Sequence, residues 1–474
     1  MPNNLCVHGH FYQPPREDSL SGNIPIEAGA APYDNWNEKI FQECYRPNTE
    51  LSNFTQISFD IGPTLFRWLE GFHPDDYQQI IAQEKSNYQR YQLSNALAQA
   101  YYHIILPLAS HEDKRTQILW GLYEYQERFG HPAQGMWLPE CGMDIDSLEI
   151  LTEHGIEFTI LAPWQGETQE LDVTHPYLVK LPNGKSINIF FYEGFLSGLI
   201  SFDPPSTRDA DTFIQDKLLP TFFGRENHAL IMLSTDGELY GHHQPHREKF
   251  LAHMLKEATR DHHIDVTFPS LWLKQHPAVE YISLRSHTSW SCKHGVERWR
   301  NLCPCSPSAS WKAPLRTAFD YLAHTIDGLF LDFANAKIKD PWKLRDEYIQ
   351  VIMGKTNVEE LIHTYQTKSL NSQDITALTY LLKAEDQRMK MFTSDAWFFE
   401  EFDRIELHNA IHAAAYAIWL VKQAIGVDLS HITRSDLRRA KSNNSDSNGE
   451  VIFQKYWQYL IDKSPQILYG DIPQ

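Results

Sequence analysis

The chain has 474 residues and a formal net charge of −19, with 61 Asp and Glu against 42 Lys and Arg. Its 42% hydrophobic and 22% charged residues are globular in composition and exclude a disordered, collagenous or fibrous chain. The acidic balance repels phosphate backbones and anionic lipid, so neither nucleic acid nor membrane is expected as a partner.

At ~100–200 residues per domain the length allows two to four domains. Thirteen Trp, 22 Tyr and 25 Phe supply either a large core or a cleft of flat apolar faces. No run approaches the ~20 apolar residues of a membrane span. Residues 1–18 lack the basic region and apolar core of a signal peptide. Six cysteines are too few for a disulfide scaffold, which places the chain in a reducing, cytoplasmic compartment.

In chain order, strand patterns fall at residues 5–8, 56–59, 135–138, 158–161 and 229–234. Helical periodicity fills 94–108, 114–129 and 147–154 between them. That alternation predicts a parallel sheet or barrel over residues 1–285. A hairpin at 177–181 and 186–192, turning on Asn183-Gly184, interrupts it. From 286 the composition changes: a Cys/Trp/Pro-rich stretch to 314 leads into helical patterns at 315–337, 342–353, 358–366, 374–391 and 404–424. Residues 286–474 therefore read as an all-helical domain, with a polar surface loop at 441–450.

In α/β barrels chemistry gathers at the C-terminal ends of strands, and polar clusters stand at such ends here. The first is HGHFYQPP at 8–15, where His8 and His10, two apart on a strand, point the same way. The second, MWLPECG at 136–142, delivers Glu140 beside Trp137; a carboxylate against apolar surface has a raised pKa or serves as a nucleophile. The third, STDGELYGHH at 234–243, follows an apolar strand with Asp236, Glu238 and His242. Unpaired charge is costly to bury, so structure alone gives little reason for these acids. The fourth, TSDAWFF at 393–399, offers Asp395 and Trp397 to sugar hydroxyls and a sugar face, or as a helix cap and a core ring. Two carboxylates with aromatic platforms are the chemistry of glycosidic bond cleavage.

These motifs, in this order, resemble those of glycoside hydrolase family 57, as do ILAPWQ at 160–165 and the segment 98–107 with His103. The resemblance runs from residue 5 to about 425. It implies a distorted (β/α)7 barrel over 1–285, and a helical domain over 286–474 that contributes to the active-site cleft. It also implies a retaining hydrolase or transglycosylase acting on α-glucan, of amylase, 4-α-glucanotransferase or branching type. Glu140 is then the nucleophile and Asp236 the general acid/base. His8, His10, Trp137, Glu238, His242, Trp290, Asp395 and Trp397 are the expected substrate contacts, with no cofactor and no catalytic metal. The Cys-rich insert is similar to a subgroup with a helical domain of unassigned function, and longer relatives are usual for that subgroup.

Two rival readings remain open. A metal-dependent carbohydrate deacetylase on a related barrel would ligate its metal through His8, His10, Asp236 and His242. A non-catalytic glucan-binding protein would keep the cleft for recognition alone. Separately, Cys292, His294, Cys303 and Cys305 are the donor set of a structural zinc site. Their spacing, C-x-H-x8-C-x-C, departs from the usual C-x2-4-C hairpins, and the spacing favours free thiols.

Overall fold

The computed structural model describes residues 3–168, 170–224 and 229–469. They form two compact units. The first takes the chain up to Gln13, then Ile26–Tyr101 and Gly121–Trp290. The second takes Pro14–Pro25, Tyr102–Trp120 and the chain from Ser291 onward.

Among the described residues, nine strands lie in the first unit: β1 (Asn3–Phe11), β2 (Ser58–Ile61), β3 (Ala96–Gln99), β4 (Met136–Trp137), β5 (Phe158–Leu161), β6 (Tyr177–Lys180), β7 (Ser186–Phe191), β8 (Leu230–Asp236) and β9 (Ile264–Val266). β1 is central and pairs in parallel with β2 on one side and β8 on the other. The parallel ladder continues through β3 to β4. A parallel bridge from Gly135 to Phe158 carries it to β5, which pairs with β7. Glu193 N–H, just past β7, donates to the Met232 carbonyl of β8 at 2.7 Å. Seven parallel strands thus form a distorted (β/α)7 barrel, with β6 antiparallel on β7 and β9 on the start of β1. Their side chains are nearly all buried, which is why the strands read as short apolar runs.

One expected element differs. Residues 94–108 carry helical periodicity, yet Ala96–Gln99 is β3 and only Leu106–Leu108 turns as a short 3-10 helix. The four residues of β3 are buried and paired on both edges. Over so short an apolar run the two periods are indistinguishable, and partner strands decide.

The second unit is helical. Its longer helices are Lys312–Ala334, Ser372–Lys390, Ile405–Ile425 and Gly449–Tyr469, and no strand occurs after residue 285 among the described residues. The side chain of Asn371 caps the second by accepting from Asp374 N–H, and Gly426, at φ 74°, ends the third. Ala410, Ala413, Ala414 and Ala417 are buried along the third, so neighbouring backbones approach closely. Among the described residues no helix is long and apolar enough to cross a membrane.

Candidate active site

Strand register assembles the site in the first unit. His8 stands opposite Ser58 and Ser234, and His10 opposite Asp60 and Asp236. Because alternate residues share a face, both histidines lie between a β2 and a β8 residue at the same level. His8 is fully buried; its Nδ1 meets Ser58 Oγ at 3.0 Å and its Nε2 meets Asp60 Oδ1 at 3.1 Å. His10 Nδ1 reaches Asp60 Oδ2 at 2.9 Å. Both rings stack on Trp137, with centroids 4.8 and 5.0 Å away. Gln99, at the end of β3, donates to the same Asp60 oxygen.

Charge follows from this placement. Burial disfavours the His10 cation, but Asp60, Asp236 and Glu140 outweigh it and lift His10 to about 9. Burial raises Asp60 too, and the His10 and His8 rings overrule it, so its carboxyl falls below the usual carboxylate value. His8, unlike His10, falls below its ordinary value, because its burial outweighs Asp60.

Glu140 follows β4 on an unusual backbone. It and Cys141 both adopt left-handed conformations, at φ 57° and 49°. Non-glycine residues there store ~1–3 kcal/mol each and persist only where surroundings over-determine them. Here Cys141 N–H and Gly142 N–H donate back to Leu138 and Pro139 carbonyls, both at 2.8 Å. Trp290 N–H donates to the Glu140 carbonyl at 3.0 Å, and Gln165 Nε2 to the Cys141 carbonyl at 2.8 Å. Trp290 Nε1–H also donates to Glu140 Oε2 at 2.8 Å, orienting the carboxylate. Trp290 thus belongs to the barrel unit.

Asp236 ends β8. Its side chain meets solvent while protein closely surrounds it. Burial raises it most, His10 opposes, and Glu140, Glu238 and Asp60 add to the rise, leaving Asp236 at about 7. The next residue, Gly237, has no room for a side chain: a Cβ would sit 2.4 Å from the Phe11 ring.

Glu238 is buried, and accepts from Tyr45 Oη and, at 3.0 Å on each oxygen, from Gln13 Nε2. His242 is partly buried; its Nδ1 lies 2.5 Å from Glu43 Oε2 and its ring meets the Trp36 edge. Asp395 and Trp397 lie in the second unit. Trp397 is 1% exposed, packed among Trp311 and Phe319, with Nε1–H donated to the Met391 carbonyl at 3.0 Å: the placement of a core ring. Asp395 opens the short helix Asp395–Phe398, behind Ser394, whose Oγ meets His103 Nδ1 at 2.6 Å.

Sequence reasoning missed Asp60, Gln99 and Tyr192. Asp60 carried a readable signal, a lone acid within the apolar run Ser58–Ile61. Gln99 was hidden by the helical reading of its segment. Tyr192, just past β7, faces Trp290 and Trp164 edgewise, and Trp164 is 47% exposed with Nε1–H donated to Ser289 O.

Residues 15–285 match glycosyl hydrolase family 57, and residues 308–464 match a domain of unknown function, DUF3536. The chain belongs to glycosyl hydrolase family 57. It is 29% identical over 175 residues to a 4-alpha-glucanotransferase of Thermococcus litoralis, covering 35% of this chain and 25% of that protein. It is 26% identical over 210 residues to an alpha-amylase of Pyrococcus abyssi, covering 43% of this chain and 30% of that protein. The matches thus span under a third of those relatives' length. An exo-type maltose-forming amylase from Pyrococcus sp. ST04 shares the fold with a TM-score of 0.73 at 14% identity, over 96% of this chain and 88% of that one. A branching enzyme from Pyrococcus horikoshii does so with a TM-score of 0.58 at 15% identity, over 97% and 94%.

Proposed function

We propose that the protein is a retaining α-glucan hydrolase or transglycosylase, with Glu140 as nucleophile and Asp236 as general acid/base. The observation that carries this reading is the environment of the pair. Asp236, at about 7, keeps a proton near neutrality, while Glu140 is oriented by the Trp290 indole on a strained turn. The α-glucan class is supported by the names of the amylase and glucanotransferase relatives.

Glu140 attacks the anomeric carbon as Asp236 passes its proton to the glycosidic oxygen, and the leaving chain departs. The Asp236 carboxylate then takes a proton from water or a sugar hydroxyl. That oxygen attacks the anomeric carbon from the opposite face and frees Glu140. His10, cationic at neutral pH, stabilises the anionic forms of both. Trp164 and Trp290 offer ring faces to the sugar. Six cysteines, none of them in a disulfide, support a reducing, cytoplasmic compartment.

Against the deacetylase rival, both ring nitrogens of His8 are already engaged with Ser58 and Asp60, and His242 is engaged with Glu43.

The test is kinetics on maltooligosaccharide and an aryl α-glucoside. Glu140→Ala is expected to lose on the order of 10⁴-fold or more in kcat on both, with azide restoring turnover as a glycosyl azide of inverted configuration. Asp236→Ala is expected to lose glucan cleavage yet keep the glycosylation step on the aryl substrate, whose leaving group needs no proton. Near-wild-type activity of Glu140→Ala would sink the assignment.

A further inference from the structure

We propose that Cys292, His294, Cys303 and Cys305 of the helical unit bind one structural zinc ion. Spacing alone favours free thiols; the three-dimensional arrangement points the other way. One ligand atom from each residue lies within 4.8 Å of all the others. The individual separations are more telling. Cys292 Sγ and Cys303 Sγ are 3.7 Å apart, and His294 Nδ1 is 3.3 Å from Cys303 Sγ and 3.4 Å from Cys305 Sγ.

With Zn–S at about 2.3 Å and Zn–N at about 2.0–2.1 Å, a tetrahedron has S···S edges of about 3.8 Å and S···N edges of about 3.6 Å. These three edges agree to a few tenths of an ångström, and the other three are no longer than 4.8 Å. A disulfide is a poor account of the same atoms, because bonded sulfurs lie about 2.05 Å apart.

The two limbs are built as ligand turns. In the first, Gly295 N–H closes onto the Cys292 carbonyl at 3.2 Å, with Gly295 at φ 80°. In the second, Ser306 N–H closes onto the Cys303 carbonyl at 2.7 Å. Backbone N–H groups of His294 and Arg298 are aimed at Cys292 Sγ, and that of Lys293 at Cys305 Sγ. Such donors orient thiolates and disperse their charge, which is the second layer expected around a zinc–thiolate centre. Buried Lys312 ties the limbs together, its Nζ donating to the Arg298 carbonyl at 2.8 Å and to Ser306 Oγ at 3.2 Å.

Three sulfurs and one imidazole in a tetrahedron select zinc over hard cations. With four protein ligands no position is left open, so the ion crosslinks the loop between residues 292 and 305 and takes no part in glycosidic chemistry.

The test uses the full chain, produced without a polyhistidine tag in zinc-supplemented medium. Elemental analysis is expected to find about one zinc per chain, and X-ray absorption three sulfurs at about 2.3 Å with one nitrogen at about 2.0–2.1 Å. His294→Ala, a change at an exposed side chain, is expected to weaken zinc retention at least about tenfold, and Cys303→Ser to abolish it, while Cys6→Ala retains it. If Cys303→Ser fails to fold, the His294 variant and the wild-type metal content still decide. Zinc below about a tenth of an equivalent, another metal in its place, or an intact mass showing a disulfide overturns the proposal. None of these outcomes bears on Glu140 or Asp236.

Discussion

His10 is the residue through which the site's charges meet, because register sets it between Asp60 and Asp236 and packing sets it on Trp137. Its folded value of about 9 lies above the ordinary 6.5, so the folded state holds the proton more tightly. Its contribution to stability is therefore complete below pH 6.5 and is lost as pH rises through about 9. Denaturant unfolding of wild type and His10→Asn should show a stability gap that is wide near pH 6 and narrow near about pH 10. A gap that stays constant across that range would contradict the His10 charge. Asp236 has a kinetic signature instead of a stability one. In the proposed mechanism its proton is the one delivered to the leaving oxygen, so kcat/KM on glucan should fall as pH rises through about 7. On the aryl substrate that alkaline fall should be much weaker, and equal profiles on both would remove Asp236 from the acid role.

At the scale of elements, β3 shows how tertiary pairing overrides local preference. Ala96-Leu97-Ala98-Gln99 has good helix formers, yet it is a strand because β2 and β4 take both its edges. The helix His111–Phe129 covers it at Gly121, where an added Cβ would stand 1.9 Å from the Gln99 carbonyl oxygen. Helix propensity alone says Gly121→Ala stabilises by ~1 kcal/mol. The contact reverses the sign, and the variant is expected to destabilise by ~1–3 kcal/mol, measured by urea unfolding. In the second unit, Arg388 on the helix Ser372–Lys390 makes a bidentate pair with Asp113 at 2.6 and 2.7 Å and also reaches Glu385 and Asp327. Arg345 joins Asp113 and Glu385 from another helix. Three acids for two guanidiniums leave Asp327 raised to about 8, by burial against the pull of Arg388. Arg388→Met strands the remaining carboxylates, and a loss of ~3–5 kcal/mol is expected in thermal or denaturant unfolding.

For the whole molecule, the proposed double displacement implies a stereochemical outcome that no single residue reports. Proton NMR during maltooligosaccharide cleavage should show the α-anomer first, with the β-anomer growing only by mutarotation. The β-anomer appearing first would mean inversion, and Glu140 would then be a base activating water. The same sample distinguishes acceptors: longer oligosaccharides mark transfer to sugar, and reducing ends alone mark transfer to water. That balance depends on how well the loaded site excludes water.

Local pattern was enough to predict the alternation of the barrel, the hairpin at Asn183-Gly184, the succession of helices after residue 311 and the strand ends bearing His8, His10, Glu140 and Asp236. These were legible because burial writes itself into short apolar runs, and a polar residue ending such a run stands out. Partnership came from the folded arrangement. Asp60 became the partner of both histidines through the register of β1 on β2, and Trp290 became the donor to Glu140 across 150 positions of chain. Trp397, a platform by its type, became a core ring among Trp311 and Phe319. The Cys/His cluster, ambiguous in spacing, converged to within 4.8 Å. Composition and period report whether a side chain is buried, but its neighbours come from strand register and loop closure between residues far apart in sequence, which local pattern does not encode.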